Sequence, residues 1–196
     1  MKLNPNAVVP TLVHDGLMPR EPYLRAKVRL VNKLVDEYVH NSCTILTFAT
    51  AFRPWFAGAS ASEIEARLAK SPSRKRTEYK VDVALHGLDS KFAAEAVQYH
   101  EKLLDLIEAS GGAWLAGGEF SLADIAVIPY VLRLDLLRMS RWWERRPNVA
   151  SWYKQAWARP SVRKEILDRM TAEDHAPFQK LKDAPDPWPK IQASLS

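Results

Sequence analysis

The sequence contains one cysteine, Cys43, among 196 residues, and a single thiol excludes an internal disulfide or a zinc site built from several cysteines. No apolar run approaches the ~20 residues that are needed to cross a bilayer. Residues 1–6 lack the hydrophobic region of a signal peptide. The five histidines have no metal-ligand spacing, and no glycine-rich loop for a phosphate is present. We therefore expect a cytoplasmic protein that uses neither a metal ion nor a membrane.

Basic residues only slightly outnumber acidic ones. The chain has 28 Lys and Arg against 23 Asp and Glu, which gives a formal net charge of +5. Basic residues cluster only in the short stretches 74–76 and 141–146, and no helix-turn-helix, RNA-binding or zinc-finger signature accompanies them. The apolar content of 47% and charged content of 26% are those of an ordinary globular protein. We expect a mixed, solvated surface and no nucleic-acid partner.

A helical period dominates the chain after its first residues. From Pro22 onward, apolar residues recur at steps of three and four, at Leu24, Val28, Val31, Val35 and Tyr38. This period predicts a long helix that runs toward Arg53–Pro54, where proline favours a stop or kink. A similar stripe predicts a helix over 92–107, and another follows Pro147. From His175 an irregular strap is expected.

The strongest local signal is a capping motif at Ser121 and Asp124. The spacing places the Ser121 hydroxyl at a helix N-cap, while the Asp124 carboxylate can bond back to the cap residue. The residues that follow are apolar on nearly every side, which predicts a buried central helix. We interpret the pair as a structural cap, although a serine and an aspartate also resemble a fragment of a catalytic set.

The first sixteen residues differ in their hydrophobic pattern from the helical residues that follow. Ala7 to Val13 form a short β-branched, apolar run that is closed by Asp15–Gly16, which predicts a strand. A lone strand is not stable in water and needs neighbours with which to pair. The remaining chain is predicted to be all α.

Three segments resemble, in order, the pattern of cytosolic glutathione S-transferases. Residues 4–12 resemble the N-P-x-x-x-V-P-x-L stretch of the family's thioredoxin-like domain, and residues 120–126 resemble the capped core helix of its C-terminal domain. Residues 147–161, with Trp152 and the Ala-Arg-Pro-Ser sequence, resemble the segment that follows that helix. The stretch 25–38 is similar to the first helix of that domain in bacterial members, including the β-etherase-like subgroup.

This resemblance implies a mainly α fold: a glutathione S-transferase C-terminal-type helical bundle over 17–196, preceded by a remnant of the thioredoxin-like, glutathione-binding domain over 1–16. It implies glutathione as co-substrate and a small hydrophobic electrophile as substrate, which the ancestral enzyme conjugates or cleaves. Val9 and Pro10 resemble the cis-proline step that holds the cysteinyl backbone of glutathione. Phe48, Phe52 and Arg53 correspond to a region that lines the substrate pocket in the family, although helix packing with a surface arginine is the preferred explanation for them.

The resemblance also predicts what is absent. The strand, helix and strand that carry the family's catalytic Ser, Tyr or Cys have no counterpart before Asn4, and the later Glu-Ser or Gln-Ser pair has none between Gly16 and Leu17. We therefore assign no catalytic residue and expect impaired transferase activity, because one backbone anchor cannot hold a charged tripeptide. A natural loss, a wrongly assigned gene start and a shortened clone remain open. The alternative function is a non-catalytic interaction or scaffold module, which forms a homodimer.

Overall fold

The computed structural model describes residues 16–69, 74–111 and 114–195. The predicted strand at 7–13 and the candidate glutathione contacts Val9 and Pro10 lie outside these residues. Within the described part the chain is helical, with no strand and one isolated β-bridge between Trp114 and Gly117, so the prediction of a mainly α fold is confirmed. The α-helices are α1 Pro22–Leu34, α2 His40–Ala49, α3 Ala61–Arg67, α4 Arg74–His86, α5 Lys91–Ala109, α6 Leu122–Leu136, α7 Pro147–Ala158, α8 Pro160–Glu165, α9 Ala172–Gln179 and α10 Trp188–Leu195.

The long first helix is interrupted by one π-helical turn, Val35–Val39, which joins α1 to α2. The amide of His40 bonds to the carbonyl of Val35 five residues earlier, so this turn is wider than an α-helical one. The wider turn brings Val39 into the core in place of Tyr38, which is 41% exposed. The predicted position of Tyr38 on the buried stripe is therefore wrong.

Helix α6 lies against α1, α2 and α7 and contributes a large share of the core. Its buried residues are Ala123, Asp124, Val127, Ile128, Val131 and Leu134. The expectation that it is buried on all sides is only partly correct, because Ile125 is 40% exposed and Pro129 is also exposed. One apolar face of α6 therefore meets solvent in the described part of the protein.

Asp124 is a fully buried carboxylate at the start of α6. Its Oδ2 accepts bonds from the amide and the hydroxyl of Ser121, both at 2.9 Å, which completes a capping box. Its Oδ1 accepts from the amide of Leu115 and from the indole Nε1 of Trp152 on α7, both also at 2.9 Å. Four donors thus offset the cost of removing this charge from water.

The C-terminal segment is helical rather than the irregular strap that its prolines predict. The capping box of Thr171 and Asp174 begins α9, and the carboxylate of Asp186 accepts a bond from the amide of Trp188 at the start of α10. Local capping therefore outweighs the high proline content. Pro189 lies in the first turn of α10, where proline is tolerated, whereas Pro177 lies inside α9. Helix α10 then packs on α5 through the buried side chain of Ile191.

The buried box of Ser121 and Asp124 and the exposed box of Thr171 and Asp174 allow a test of how much burial adds to the stabilising effect of a capping box. We predict that Asp124→Ala lowers the free energy of unfolding by at least about 3 kcal/mol, because it leaves buried donors of three residues without acceptors. The matched variant Asp174→Ala breaks an exposed box of the same type, and water replaces the lost bonds there. Urea denaturation of both variants measures the difference. Equal losses would contradict the structural weight that we give to Asp124.

Candidate functional site

A cavity of about 650 Å³ lies between the C-terminal ends of α2, α4 and α6 and the chain segment that joins α9 to α10. Its apolar walls come from the end of α2 and the turn after it, the turn after α4, the end of α6 and that later segment. They include Ala49, Ala51, Pro54, Phe56, Leu88, Leu137, Leu181 and Ala184. A concave, mainly apolar space of this volume has the size of a small-molecule site.

Arg53 forms part of the cavity wall, and its side chain also caps the C-terminal end of α4. Its Nε donates to the carbonyl of Ala84 at 3.3 Å, and its Nη2 donates to the carbonyl of Leu85 at 2.9 Å. The guanidinium thereby satisfies carbonyls that a helix C-terminus leaves without partners. Gly87 permits this contact, since it has a φ of +61° and a Cβ built on it would lie 3.0 Å from Nη1 of Arg53.

Phe48 and Phe52 belong to an aromatic cluster and are not among the residues that line the cavity. The ring of Phe48 lies 6.0 Å from that of Phe56 and 5.4 Å from that of Phe52, measured between centroids. Phe52 stacks on the half-exposed Trp55 at 4.2 Å. The structure thus places Arg53 at the cavity, while Phe56 connects the cavity to the other two predicted pocket residues.

Arg138 also lines the cavity and was not predicted from the sequence. Its backbone has a φ of +62°, a left-handed conformation that a non-glycine residue rarely adopts. Its Nη1 donates to the carbonyls of Leu181 and, at 2.7 Å, Ala184. These bonds hold the segment before α10 against the end of α6, and the partners lie more than forty residues away in sequence, so no local pattern marks them.

A polar group lies between α2 and α6. The Nδ1 of His40 is 3.1 Å from the hydroxyl of Tyr130, and Arg133 donates to the Thr47 hydroxyl at 3.3 Å. Burial raises the pKa of the nearby Cys43 thiol to about 11, so this thiol is protonated at neutral pH. Cys43 is therefore a poor nucleophile.

Ser121 and Asp124 lie at the other end of α6 from the cavity. The Ser121 hydroxyl donates to Asp124 and accepts from the amide of Ala123 at 3.3 Å, and both residues are buried. The polar side-chain atoms of the pair bond to each other, to the start of α6, to Leu115 and to Trp152, and the structure offers no access to an incoming substrate there. Their arrangement is that of a structural cap.

The His, Cys, Asp and Glu side chains of the described residues are the remaining candidates for a metal site. No group of three His, Cys, Asp or Glu side chains there is placed to hold a metal ion. His100 is fully buried, and burial lowers its pKa to about 4, so it is neutral at physiological pH. Among the helices of residues 16–69, 74–111 and 114–195, none is long and apolar enough to span a bilayer.

The helical bundle, the buried capping box and the cavity at the helix ends define a glutathione S-transferase-type C-terminal domain. Residues 91–155 match the family model described as "Glutathione S-transferase, C-terminal domain". The glutathione S-transferase GstB of Escherichia coli (strain K12) is 27% identical over 175 residues, which cover 85% of this chain and 77% of GstB. Together these matches support a glutathione S-transferase family protein.

A second relative is LigF of Sphingobium sp. strain SYK-6, which is 25% identical over 207 aligned positions that cover 88% of this chain and 78% of LigF. Because the alignment is longer than the chain itself, it includes LigF residues that have no counterpart here. The crystal structure of the β-etherase LigF superposes with a TM-score of 0.63 at 24% identity. That superposition covers 80% of this chain and 66% of the LigF chain, and it supports the fold.

The left-handed conformation of Arg138 can be tested by its replacement. Arg138→Ala and Arg138→Gly both remove the bonds to the later segment, but only glycine adopts this φ without strain. We predict that Arg138→Gly is more stable than Arg138→Ala by about 1 kcal/mol. Urea denaturation compares the two variants. An alanine variant as stable as the glycine variant would show that residue 138 carries no backbone strain.

Proposed function

We propose that this protein binds a small hydrophobic molecule in the cavity at the ends of α2, α4 and α6. The observation that supports this proposal is the cavity itself, whose volume and apolar walls suit such a ligand. In the ancestral activity of the family, glutathione is conjugated to such a molecule or cleaves it. The names of GstB as a transferase and of LigF as a β-etherase support this class of chemistry.

Glutathione chemistry requires a group that stabilises the thiolate of the co-substrate. Within residues 16–69, 74–111 and 114–195 we identify no side chain suited to this task. The Cys43 thiol has a raised pKa, and the Ser121 hydroxyl is committed to the buried cap. Burial and the nearby Asp135 also raise the pKa of Tyr153. We therefore propose that the chain retains a hydrophobic-ligand site but has weak transferase activity.

The LigF alignment supports the proposal of weak transferase activity, because it includes residues of that relative that have no counterpart in this chain. The division into a glutathione-domain remnant at 1–16 and a helical domain at 17–196 is part of the same proposal. The assignment of Val9 and Pro10 as former glutathione contacts also belongs to this proposal.

Filling the cavity tests the ligand site. Ala57 is exposed and lines the cavity, so Ala57→Trp should occupy ligand space without disturbing the core. We predict that it weakens binding of the neutral fluorophore N-phenyl-1-naphthylamine by about tenfold, or 1.4 kcal/mol. Ala109→Trp, at an exposed position on α5 outside the cavity, serves as the matched control. Unchanged binding by the Ala57 variant would place the ligand elsewhere.

The same preparation tests catalysis. With glutathione and 1-chloro-2,4-dinitrobenzene, the full chain is expected to add little to the uncatalysed rate, and it should not be retained on immobilised glutathione. Rapid turnover would contradict the proposed loss of activity, while leaving the ligand site in place.

The alternative function, a non-catalytic interaction module, is supported by exposed apolar side chains on two adjacent helices. Tyr23 and Leu30 on α1 are each 66% exposed, and Ile125 on α6 is 40% exposed. Exposed apolar side chains on neighbouring helices favour association where they adjoin. We therefore propose a homodimer as the state that covers it.

For the homodimer we predict that the double variant Leu30→Lys, Ile125→Lys weakens self-association by at least about tenfold, because it introduces like charges into an apolar contact. Sedimentation equilibrium measures the dimer constant, with Ala109→Lys as an exposed control on another helix. A wild-type chain that remains monomeric at high concentration would remove this alternative.

A further inference from the structure

We propose that His100 makes the contact between α5 and residues 140–146 a pH-sensitive switch, which is closed at neutral pH and opens in mild acid when the imidazole takes up a proton. This inference does not depend on the proposed ligand site, because it concerns the interior of the helical bundle. The observation that carries it is a fully buried imidazole with one nitrogen that has no hydrogen-bond partner among the described residues.

The hydrogen bonds of His100 fit a neutral ring. Its Nδ1 is 2.9 Å from the carbonyl oxygen of Ala96, one turn earlier on α5. A carbonyl only accepts, so Nδ1 carries the proton and donates it. The other nitrogen, Nε2, is also buried and has no partner in the described part of the chain. Protonation would therefore place a charged N–H in the core without an acceptor.

The surroundings of the ring are aromatic and apolar. The indole of Trp142 lies beside it, with 6.2 Å between the ring centroids, and is itself buried. On α5, Val97, Leu103 and Leu104 lie on the same face of the helix as His100 and are also buried. Burial lowers the pKa of His100 to about 4, and the bond to Ala96 opposes this shift only in part.

Charged groups at the edge of this contact already have partners. The Glu101 carboxylate accepts from the indole Nε1 of Trp142 and pairs with Arg146. Arg146 also donates to Asp105 at 2.8 Å and to the carbonyl of Trp142 at 2.9 Å. These bonds close the edge of the contact, and they leave no carboxylate of this group directed at the imidazole.

Other titratable groups near α5 do not contribute to the pKa of His100, which has burial and the Ala96 bond as its causes. On α5 itself these groups are Lys91, Glu95, Tyr99, Lys102 and Glu108. On the elements that pack against α5 they are Asp36, Glu37, Tyr38, His40, Cys43, Arg76, Glu78, Tyr79, Lys80, Asp82, His86, Asp89, Arg141, Glu144, Arg145, Tyr153, Lys154 and Lys190.

The direction of the effect follows from the two states of the imidazole. In the closed state the ring is buried, whereas in the open state it meets water and regains its ordinary pKa of 6.5. At higher pH the ring is neutral in both states and does not favour opening. As the pH falls from 6.5 toward 4, only the open state takes up the proton, so acid favours opening. These values give an increase of about twentyfold in the opening constant between pH 7 and pH 5.

Backbone bonds connect this contact to the end of α6. The amide of Met139 bonds to the carbonyl of Leu134 at 2.9 Å, and the carbonyl of Met139 accepts from the amide of Trp142 at 3.0 Å. Arg138, which lines the cavity, directly precedes Met139. Displacement of Trp142 in acid would therefore loosen residues 134–146 together with α5.

Hydrogen exchange of the full chain at pH 7 and pH 5, read by mass spectrometry, tests this switch. After correction for the intrinsic pH dependence of amide exchange, we expect protection within 91–109 and 134–146 to fall by about twentyfold at pH 5. Peptides of α1, which packs mainly on α6, should change by less than about threefold. Unchanged protection at the contact, or an equal fall in α1, would overturn the proposal.

His100→Gln assigns the effect to the imidazole, because glutamine is polar but does not ionise. Whatever the stability of this variant, its protection at the contact should differ by less than about threefold between the two pH values. His40→Gln removes an exposed histidine of α2 and serves as the matched control, with the full twentyfold response retained. A wild-type response in the His100 variant would refute the role of this residue.

Direct titration of the wild-type chain keeps the inference testable where the substitution prevents folding. The chain contains five histidines, and carbon-edited NMR spectra resolve their ring signals. We expect the ring that shows contacts to an indole to keep its chemical shift between about pH 7.5 and 5.5, since His100 stays neutral in the closed state. Titration of all five rings in that interval would overturn the switch.

Discussion

The buried carboxylate of Asp124 is the interaction on which one end of the helical bundle depends. It connects the first turn of α6 to the loop at Leu115 and to Trp152 on α7, so three separate parts of the chain share one acceptor group. A charge in this position is tolerated only when its bonds are complete, and loss of one partner exposes the others to the desolvation cost. The amide of Leu122 also bonds to the carbonyl of Leu17 at 2.9 Å, which fixes the approach to α1 at the same end.

The other end of α6 is organised by arginines rather than by an acid. Helix C-termini leave carbonyls without partners, and Arg53 satisfies two of them at the end of α4. Arg138 does the same for the segment before α10. The side chains that complete the backbone bonds also surround the cavity, so structural capping and the positive charge of the candidate site have a common origin.

Family membership and catalytic competence rest on different parts of the molecule. The helical domain supplies the family match and the cavity, both of which lie in described residues. Activation of a thiol requires a group that stabilises its thiolate, and the partly buried Cys43 and Tyr153 have raised pKa values. A hydrophobic-ligand site therefore does not by itself make this chain a transferase.

The sequence by itself determined the features that depend on neighbouring residues. The Ser121–Asp124 box and the long amphipathic helix from Pro22 were predictable, because capping and helical periodicity act over three to seven residues. The same local rules failed at Tyr38, where a π-helical turn shifts the buried face, and in the C-terminal segment, where proline suggested irregular structure.

Only the tertiary structure decided the wall of the cavity. Arg53 meets the end of α4 about thirty residues later, and Arg138 meets Leu181 and Ala184 more than forty residues later. Phe48 and Phe52 carry the aromatic character expected of a pocket, yet their rings pack behind its wall. The physical reason is that a cavity forms where helix ends from distant parts of the chain converge, and no local pattern encodes that convergence.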